Sequence, residues 1–287
     1  MPHYLTDPQF KKGLASFPPG GGNRSVLTFD YSSGDPDVFL AQHWSRYDIA
    51  VDTLQVDENG SYYADDGKMV GRFQEGDKSY IRLAVFAQNE YTAPRKDGEG
   101  WPHLLLEQSF SSDLPLVSTV KALPFSLTVR ISRIKNWMGE AFNPELHTAQ
   151  TTFYLTVQDH NPSSKGYLDY LWFGIPIFDA RYAFPSGFYM KDGGKADCTS
   201  KMIYVPGGNE FLKTAYAGVN PADGDWATCN VDLLPYIKKA FSTAKVEGFL
   251  PNSSWEDMRL GSFNLGWEVQ GTFSCCMDVC NWQLSAT

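Results

Sequence analysis

Residues 125–136 read FSLTVRISRIKN. Side chains of an extended chain point alternately to opposite sides, so Leu127, Val129 and Ile131 form one row while Thr128, Arg130 and Ser132 form the other. The apolar row needs a core to cover it. The same two-residue beat returns in residues 148–159, where Phe153, Leu155 and Val157 alternate with Thr152, Tyr154, Thr156 and Gln158. In 79–88, Ile81, Leu83 and Val85 alternate with Tyr80, Arg82, Phe86 and Gln88. In 102–110, Leu104 and Leu106 alternate with His103, Glu107 and Ser109.

Outward from these four segments, Gly, Pro, Asn and Asp clusters separate further short runs. Strands are expected near 25–31, 48–56, 60–64, 68–74, 167–180, 200–206, 226–231, 257–264 and 266–284. Asn59-Gly60 inside LQVDENGSYYAD is a hairpin signal. A composition of 19 Phe, 15 Tyr and 8 Trp beside 25 Gly and 17 Pro fits many strands joined by tight turns. One helix breaks the pattern. Asp232 starts it, Leu233, Ile237, Ala240, Phe241 and Ala244 share a face, Lys238, Lys239 and Lys245 sit toward its C-terminus, and Gly248 ends it.

The class that follows is all-β, an antiparallel β-sandwich with one short connecting helix. Residues 1–24, with a helical possibility around Pro8–Leu14 and then PPGGGN, read as a leader, and 25–287 as a single domain. The formal charge of 24 − 33 = −9 lacks the basic stripe that neutralises phosphates, which argues against nucleic acid. No uncharged apolar run approaches the eighteen or so residues that span a bilayer, so a soluble chain without a membrane partner is expected. The compartment stays open between extracellular, with its signal removed, and cytoplasmic. Sequon triplets occur at Asn23, Asn59 and Asn252. Of five cysteines, Cys275 faces away from Cys276 and Cys280 in a strand and reads as a buried thiol like them, while Cys198 and Cys229 can form a disulfide under oxidising conditions.

The rows opposite the core carry the functional expectation. A solvated face is usually filled with Lys, Glu and Thr, whereas these strands offer Arg82, His103, Glu107, Arg130, Tyr154 and Gln158, with Trp172 further on. Sugar rings stack their C–H faces on aromatics and take paired hydrogen bonds from planar polar groups, so such a surface suits a poly- or oligosaccharide. Asp179 and Arg181 emerge at the end of YLDYLWFGIPIFDAR, as an ion pair or as the rim of a cleft, and Glu268 in the last strand is a second candidate carboxylate. His103, beside Glu107, is the histidine best placed for acid–base work.

The strands RLAVFAQNEY, HLLLEQSF, SLTVRISRI, TTFYLTVQDH and YLWFGIPIFDAR, then the helix and GWEVQGTFSCCMDVCNW, resemble the concanavalin A-like jelly-roll superfamily of lectins, glycoside hydrolases and polysaccharide lyases. The resemblance is at fold level over about residues 25–287. It implies a jelly roll with one concave glycan-facing sheet and, often, a structural calcium. The loop NPADGD offers Asn220, Asp223 and Asp225 as calcium ligands, a solvated turn being the competing reading; no other cofactor is implied. The laminarinase-type Glu-x-Asp-x-x-Glu and the alginate-lyase Arg-x-Glu-Leu-Arg are both absent, so neither family's catalytic residues carry over.

Three functions are compatible with this surface. A glycoside hydrolase uses Glu107 with Glu268 or Asp179; a lyase uses His103 or Tyr154 as base, with Arg130 holding a uronate. A lectin-like protein keeps the stacking residues without an acid–base pair. A structural protein uses the aromatic surface as a subunit contact.

Overall fold

The computed structural model describes residues 2–29, 34–49, 54–192 and 200–287. Sixteen strands follow one another: β1 (Leu14–Ser16), β2 (Ser25–Leu27), β3 (Phe39–Ala41), β4 (Leu54–Asp57), β5 (Gly60–Ala64), β6 (Lys68–Glu75), β7 (Lys78–Phe86) and β8 (His103–Ser109). The second half of the chain adds β9 (Pro124–Asn136), β10 (Thr148–Asp159), β11 (Tyr170–Asp179), β12 (Phe188–Lys191), β13 (Ser200–Val205), β14 (Ala227–Asp232), β15 (Met258–Gln270) and β16 (Phe273–Leu284).

They form two sheets. Nine strands run in the order β12-β13-β11-β10-β15-β8-β3-β1-β2, and seven in the order β14-β9-β16-β7-β6-β5-β4. All pairings are antiparallel except β1 with β3 and β11 with β13. The fold is an all-β sandwich of the jelly-roll kind, as the alternation requires: each sheet turns one row inward, and the two rows seal each other.

Aromatic side chains fill the seam. Phe125 of one sheet meets Phe153 of the other at 4.9 Å between ring centres, and Phe263 meets Trp282 at 5.4 Å. Trp267 is fully buried, and its indole Nε1–H donates to the Leu83 carbonyl of the opposite sheet at 3.0 Å. Its neighbour Glu268 is thereby turned to the outer surface.

Several details differ from the sequence expectation, among them the additional strands β1, β3 and β12. The break expected at residue 265 does not exist: β15 runs through Gly266, and the turn falls at Gly271, whose φ of +131° suits glycine. No helix forms around Pro8–Leu14. The first 24 residues supply β1 and the fully buried Tyr4, Phe10 and Leu14, so this segment packs into the sandwich.

The expected helix spans Leu234–Val246 with Ile237, Ala240, Phe241 and Ala244 buried, the Asp232 carboxylate accepts the Leu234 N–H at 3.0 Å, and Gly248 follows it at φ +75°. Two other helices, Ala87–Glu90 and Gly208–Thr214, are short. Among the described residues no helix is long and apolar enough to cross a membrane. Cys229, Cys275, Cys276 and Cys280 are buried free thiols; Cys198, the other half of the suggested disulfide, lies outside the described residues.

Replacing Trp267 by Ala removes both the seam-filling ring and the inter-sheet hydrogen bond. Denaturant unfolding should show a loss of about 3–5 kcal/mol; a loss below about 1 kcal/mol would show that the two sheets do not depend on this side chain.

Candidate functional site

The outer face of the nine-stranded sheet is built by register. His103, Glu268, Gln150 and Asp179 lie side by side on β8, β15, β10 and β11. Two residues along is a floor of Leu105, Gly266 and Thr152; two further are Glu107, Asn264, Tyr154 and Gly174, with Phe39 of β3 beside Glu107. Gly266 and Gly174 let their neighbours pack close: a Cβ at Gly266 would lie 2.0 Å from the Leu104 carbonyl oxygen, and one at Gly174 2.7 Å from the Tyr154 ring. The result is a narrow crevice, with no room for a water molecule, lined by Leu105, Gln150, Thr152, Tyr154, Asn264, Gly266 and Glu268.

Aromatic rings extend it. Tyr154 meets Trp172 edge-on at 6.0 Å, and Trp172 meets Tyr170 at 5.5 Å. Gln158 is placed beyond them, its amide donating to the Leu168 carbonyl at 3.0 Å. At the opposite end, His103 packs between Trp101, at 5.8 Å, and His43, at 5.9 Å. The Trp101 Nε1 and His103 Nε2 atoms are both buried without a hydrogen-bond partner among the described residues.

Glu107 is half-buried, and among the described residues no hydrogen bond or ion pair reaches its carboxyl. Burial alone pushes its pKa up. Glu268 is held instead, its Oε2 accepting from the Gln150 amide at 3.0 Å. Burial pushes the His103 imidazole pKa down, with the Glu268 carboxylate acting the other way and His43 reinforcing the drop. Burial also raises the Tyr154 phenol, and Glu268 and Asp179 add to it.

The register sets the two candidate glutamates two rows apart on neighbouring strands. Glu107 faces Asn264, four residues from Glu268, which places their Cα atoms about 14 Å apart from strand rise and spacing. Gln150 draws the Glu268 carboxylate toward β10, away from Glu107. Carboxyl groups about 5–5.5 Å apart serve retention and about 6.5–9.5 Å inversion. Asp179 is committed elsewhere: it is buried, accepts from Thr148 Oγ1 at 2.7 Å, and pairs with Arg181 Nη2 at 2.6 Å. The ion-pair reading of Asp179 is the one the geometry favours.

Arg82 and Arg130 are not on this face. They lie on β7 and β9 of the seven-stranded sheet, on either side of Asp278 in β16. Asp278 is fully buried and accepts from Arg82 Nε at 2.6 Å and Arg130 Nε at 2.8 Å, while Arg130 Nη2 reaches Glu75 at 2.9 Å. Phe73, Tyr80 and Trp226 stack among the guanidiniums. A single hollow shared by Arg82, Glu107, Arg130 and Gln158 is therefore ruled out. Alternation tells which residues turn away from the core, but not which of two sheets a strand joins.

The NPADGD loop does not gather ligands. The Asn220 side-chain oxygen accepts from Ala222 N at 3.0 Å as a helix cap, and Asp223 and Asp225 are exposed. Among the described residues no group of three or more His, Cys, Asp or Glu is placed to hold a metal ion. Conversely, Gln150, Asn264 and Trp101 were not singled out in the sequence. Gln150 carries the same alternation as Tyr154, whereas Asn264 sits at the end of the strand expected over 257–264.

No protein-family model matches the chain, and no curated protein matches it. Solved structures overlay loosely. The family 11 xylanase from Neocallimastix patriciarum matches over 87% of this chain and 100% of its own at 9% identity, with a TM-score of 0.45. The native family 12 xyloglucanase from Bacillus licheniformis matches over 82% and 97% at 10% identity and 0.44, and endoglucanase Cel12A from Rhodothermus marinus over 79% and 91% at 11% and 0.41. Overlays this loose assign no residue a role.

Because the folded pKa of Glu107 is raised, its contribution favours folding below the ordinary carboxylate range and is lost as pH rises through the raised value. Glu107→Gln should therefore melt at a higher temperature than the parent chain at pH 7, the gap closing below about pH 4. Equal melting temperatures at pH 7 would show that the carboxyl is not strained by burial.

Proposed function

We propose that the outer face of the nine-stranded sheet binds a poly- or oligosaccharide. The observation that carries this reading is the row Glu107, Asn264 and Tyr154 continuing to Trp172: a carboxyl without a partner among the described residues, a carboxamide and two half-buried rings on one face. Carboxyl and amide take sugar hydroxyls in paired hydrogen bonds, and the rings take the C–H faces.

Binding without cleavage is the first form, because the rings and the carboxamide suffice for it whatever the separation of the Glu107 and Glu268 carboxyls. Cleavage is the second reading, and one observation favours it: a carboxyl with a raised pKa and no partner is what a general acid needs. The lyase route is weaker, since Arg130, its carboxylate clamp, lies on the other sheet.

Calorimetric titration with cellohexaose, xylohexaose, mannohexaose and a galacturonate hexamer tests the reading. At least one should bind, and Tyr154→Ala and Trp172→Ala should each weaken it about tenfold with the fold kept. Unchanged affinity in both variants would sink it. Parallel assays of reducing ends and of unsaturated-product absorbance separate the two forms: products that vanish in Glu107→Gln mean hydrolysis, and bound sugar without products means a binder.

A further inference from the structure

Residues 42–49 leave β3 at the His103 end of this face. The His43 carbonyl accepts the His103 N–H at 2.9 Å, which sets the loop beside the row that holds His103 and Glu268. The next residue, Trp44, has φ +61° and is 69% exposed. A left-handed backbone is unfavourable for a bulky side chain, and an indole in water forgoes its burial. Both occur at one residue, so the surrounding structure must enforce them.

That structure is a buried polar cluster directly beneath. Lys68 is fully buried. Its Nζ donates to Ser45 Oγ and to the Tyr47 carbonyl, each at 2.5 Å, and lies 3.4 Å from Asp65 and 3.8 Å from Glu90. The Glu90 carboxylate accepts from Arg46 N at 2.7 Å and from the Ser45 hydroxyl. Gln42 fixes the far end: its Oε1 accepts from Ile49 N at 3.0 Å, and its Nε2 donates to Asp48 at 3.1 Å and to Ser16 Oγ at 2.8 Å. Ser45, Arg46 and Tyr47 are thus held on the three residues after Trp44, and His103 holds the residue before it.

The indole itself rests on backbone. A Cβ built on Gly100 would lie 2.7 Å from the Trp44 ring, and Gly100 leads into Trp101, the ring that packs on His103. An aromatic side chain is thereby presented to solvent beside Gly100, on a loop whose backbone is held on both sides of it.

We propose that Trp44 is a stacking platform for an outer sugar of the bound saccharide, and that Lys68 with Glu90 is the latch that positions it. This rests on the saccharide reading above and adds a specificity-determining residue to it. Lys68 is a positioning residue: no ligand reaches its buried ammonium, and it acts only through the loop. Without the latch, the loop is free to relax out of the left-handed conformation and the platform turns away.

The test compares Trp44→Ala, Gly100→Ala, Lys68→Gln and Tyr154→Ala by calorimetry with the hexasaccharide that the parent chain binds best, and repeats it with the matching disaccharide. Trp44→Ala should weaken the hexasaccharide about tenfold while leaving the shorter disaccharide's affinity unchanged. Gly100→Ala, at an exposed site, should do the same by displacing the ring with the melting temperature kept. Lys68→Gln should match Trp44→Ala in affinity, and both should lose the same part of the tryptophan fluorescence change on ligand addition, the part that comes from Trp172 and Trp101 remaining. Full affinity in both Trp44→Ala and Gly100→Ala, with Tyr154→Ala still weakened, would overturn the platform and leave the saccharide face standing. Full affinity in Tyr154→Ala as well, or no binding by the parent chain, would overturn both.

Discussion

The indole of Trp267, donating across the seam to the Leu83 carbonyl, fixes how the two sheets lie on each other. β15 sits at the middle of the nine-stranded sheet, between β10 and β8, and β7 sits at the middle of the seven-stranded one. Once Trp267 points inward, the alternation of the strand leaves Asn264, Gly266 and Glu268 no choice but to point outward. The crevice on that face is a consequence of the packing on the other side.

The two outer faces then have different fates. On the seven-stranded sheet, a buried carboxylate between two arginines, with Phe73, Tyr80 and Trp226 layered against them, satisfies most of its own polar groups. Taking away one member would leave charge uncompensated in a half-buried setting, so the cluster is self-contained. On the nine-stranded sheet the polar groups are left partly unmet: the Glu107 carboxyl, Trp101 Nε1 and His103 Nε2 have no partner among the described residues. A half-buried carboxyl without a partner, beside half-buried rings, is suited to a ligand that brings both hydroxyls and C–H faces.

Much of the fold was legible from the two-residue beat in 79–88, 102–110, 125–136 and 148–159, because burial imposes it on every strand of a sandwich. The helix at 234–246 was legible from Ile237, Ala240, Phe241 and Ala244 for the same reason at a different period. What could not be read was the partnership of strands far apart in the chain. Arg82 and Glu107 are only 25 residues apart and carry the same outward polarity, yet β7 and β8 join opposite sheets. The break expected at residue 265 hid the continuity of β15, in which Gly266 permits close approach to Leu104. The latch under Trp44 was invisible too, since Lys68 and Glu90 look like surface charges until the loop 42–49 covers them.

The most direct measurement of the central claim is a nuclear magnetic resonance titration that follows backbone amide shifts as a bound hexasaccharide is added. A saccharide site on the nine-stranded sheet moves the signals of His103, Glu107, Gln150, Tyr154, Asn264 and Glu268 together and leaves those of Arg82, Arg130 and Asp278 in place. Shifts confined to Arg82, Arg130 and Asp278, with the nine-stranded sheet unmoved, would place the sugar on the wrong side of the sandwich and contradict the assignment.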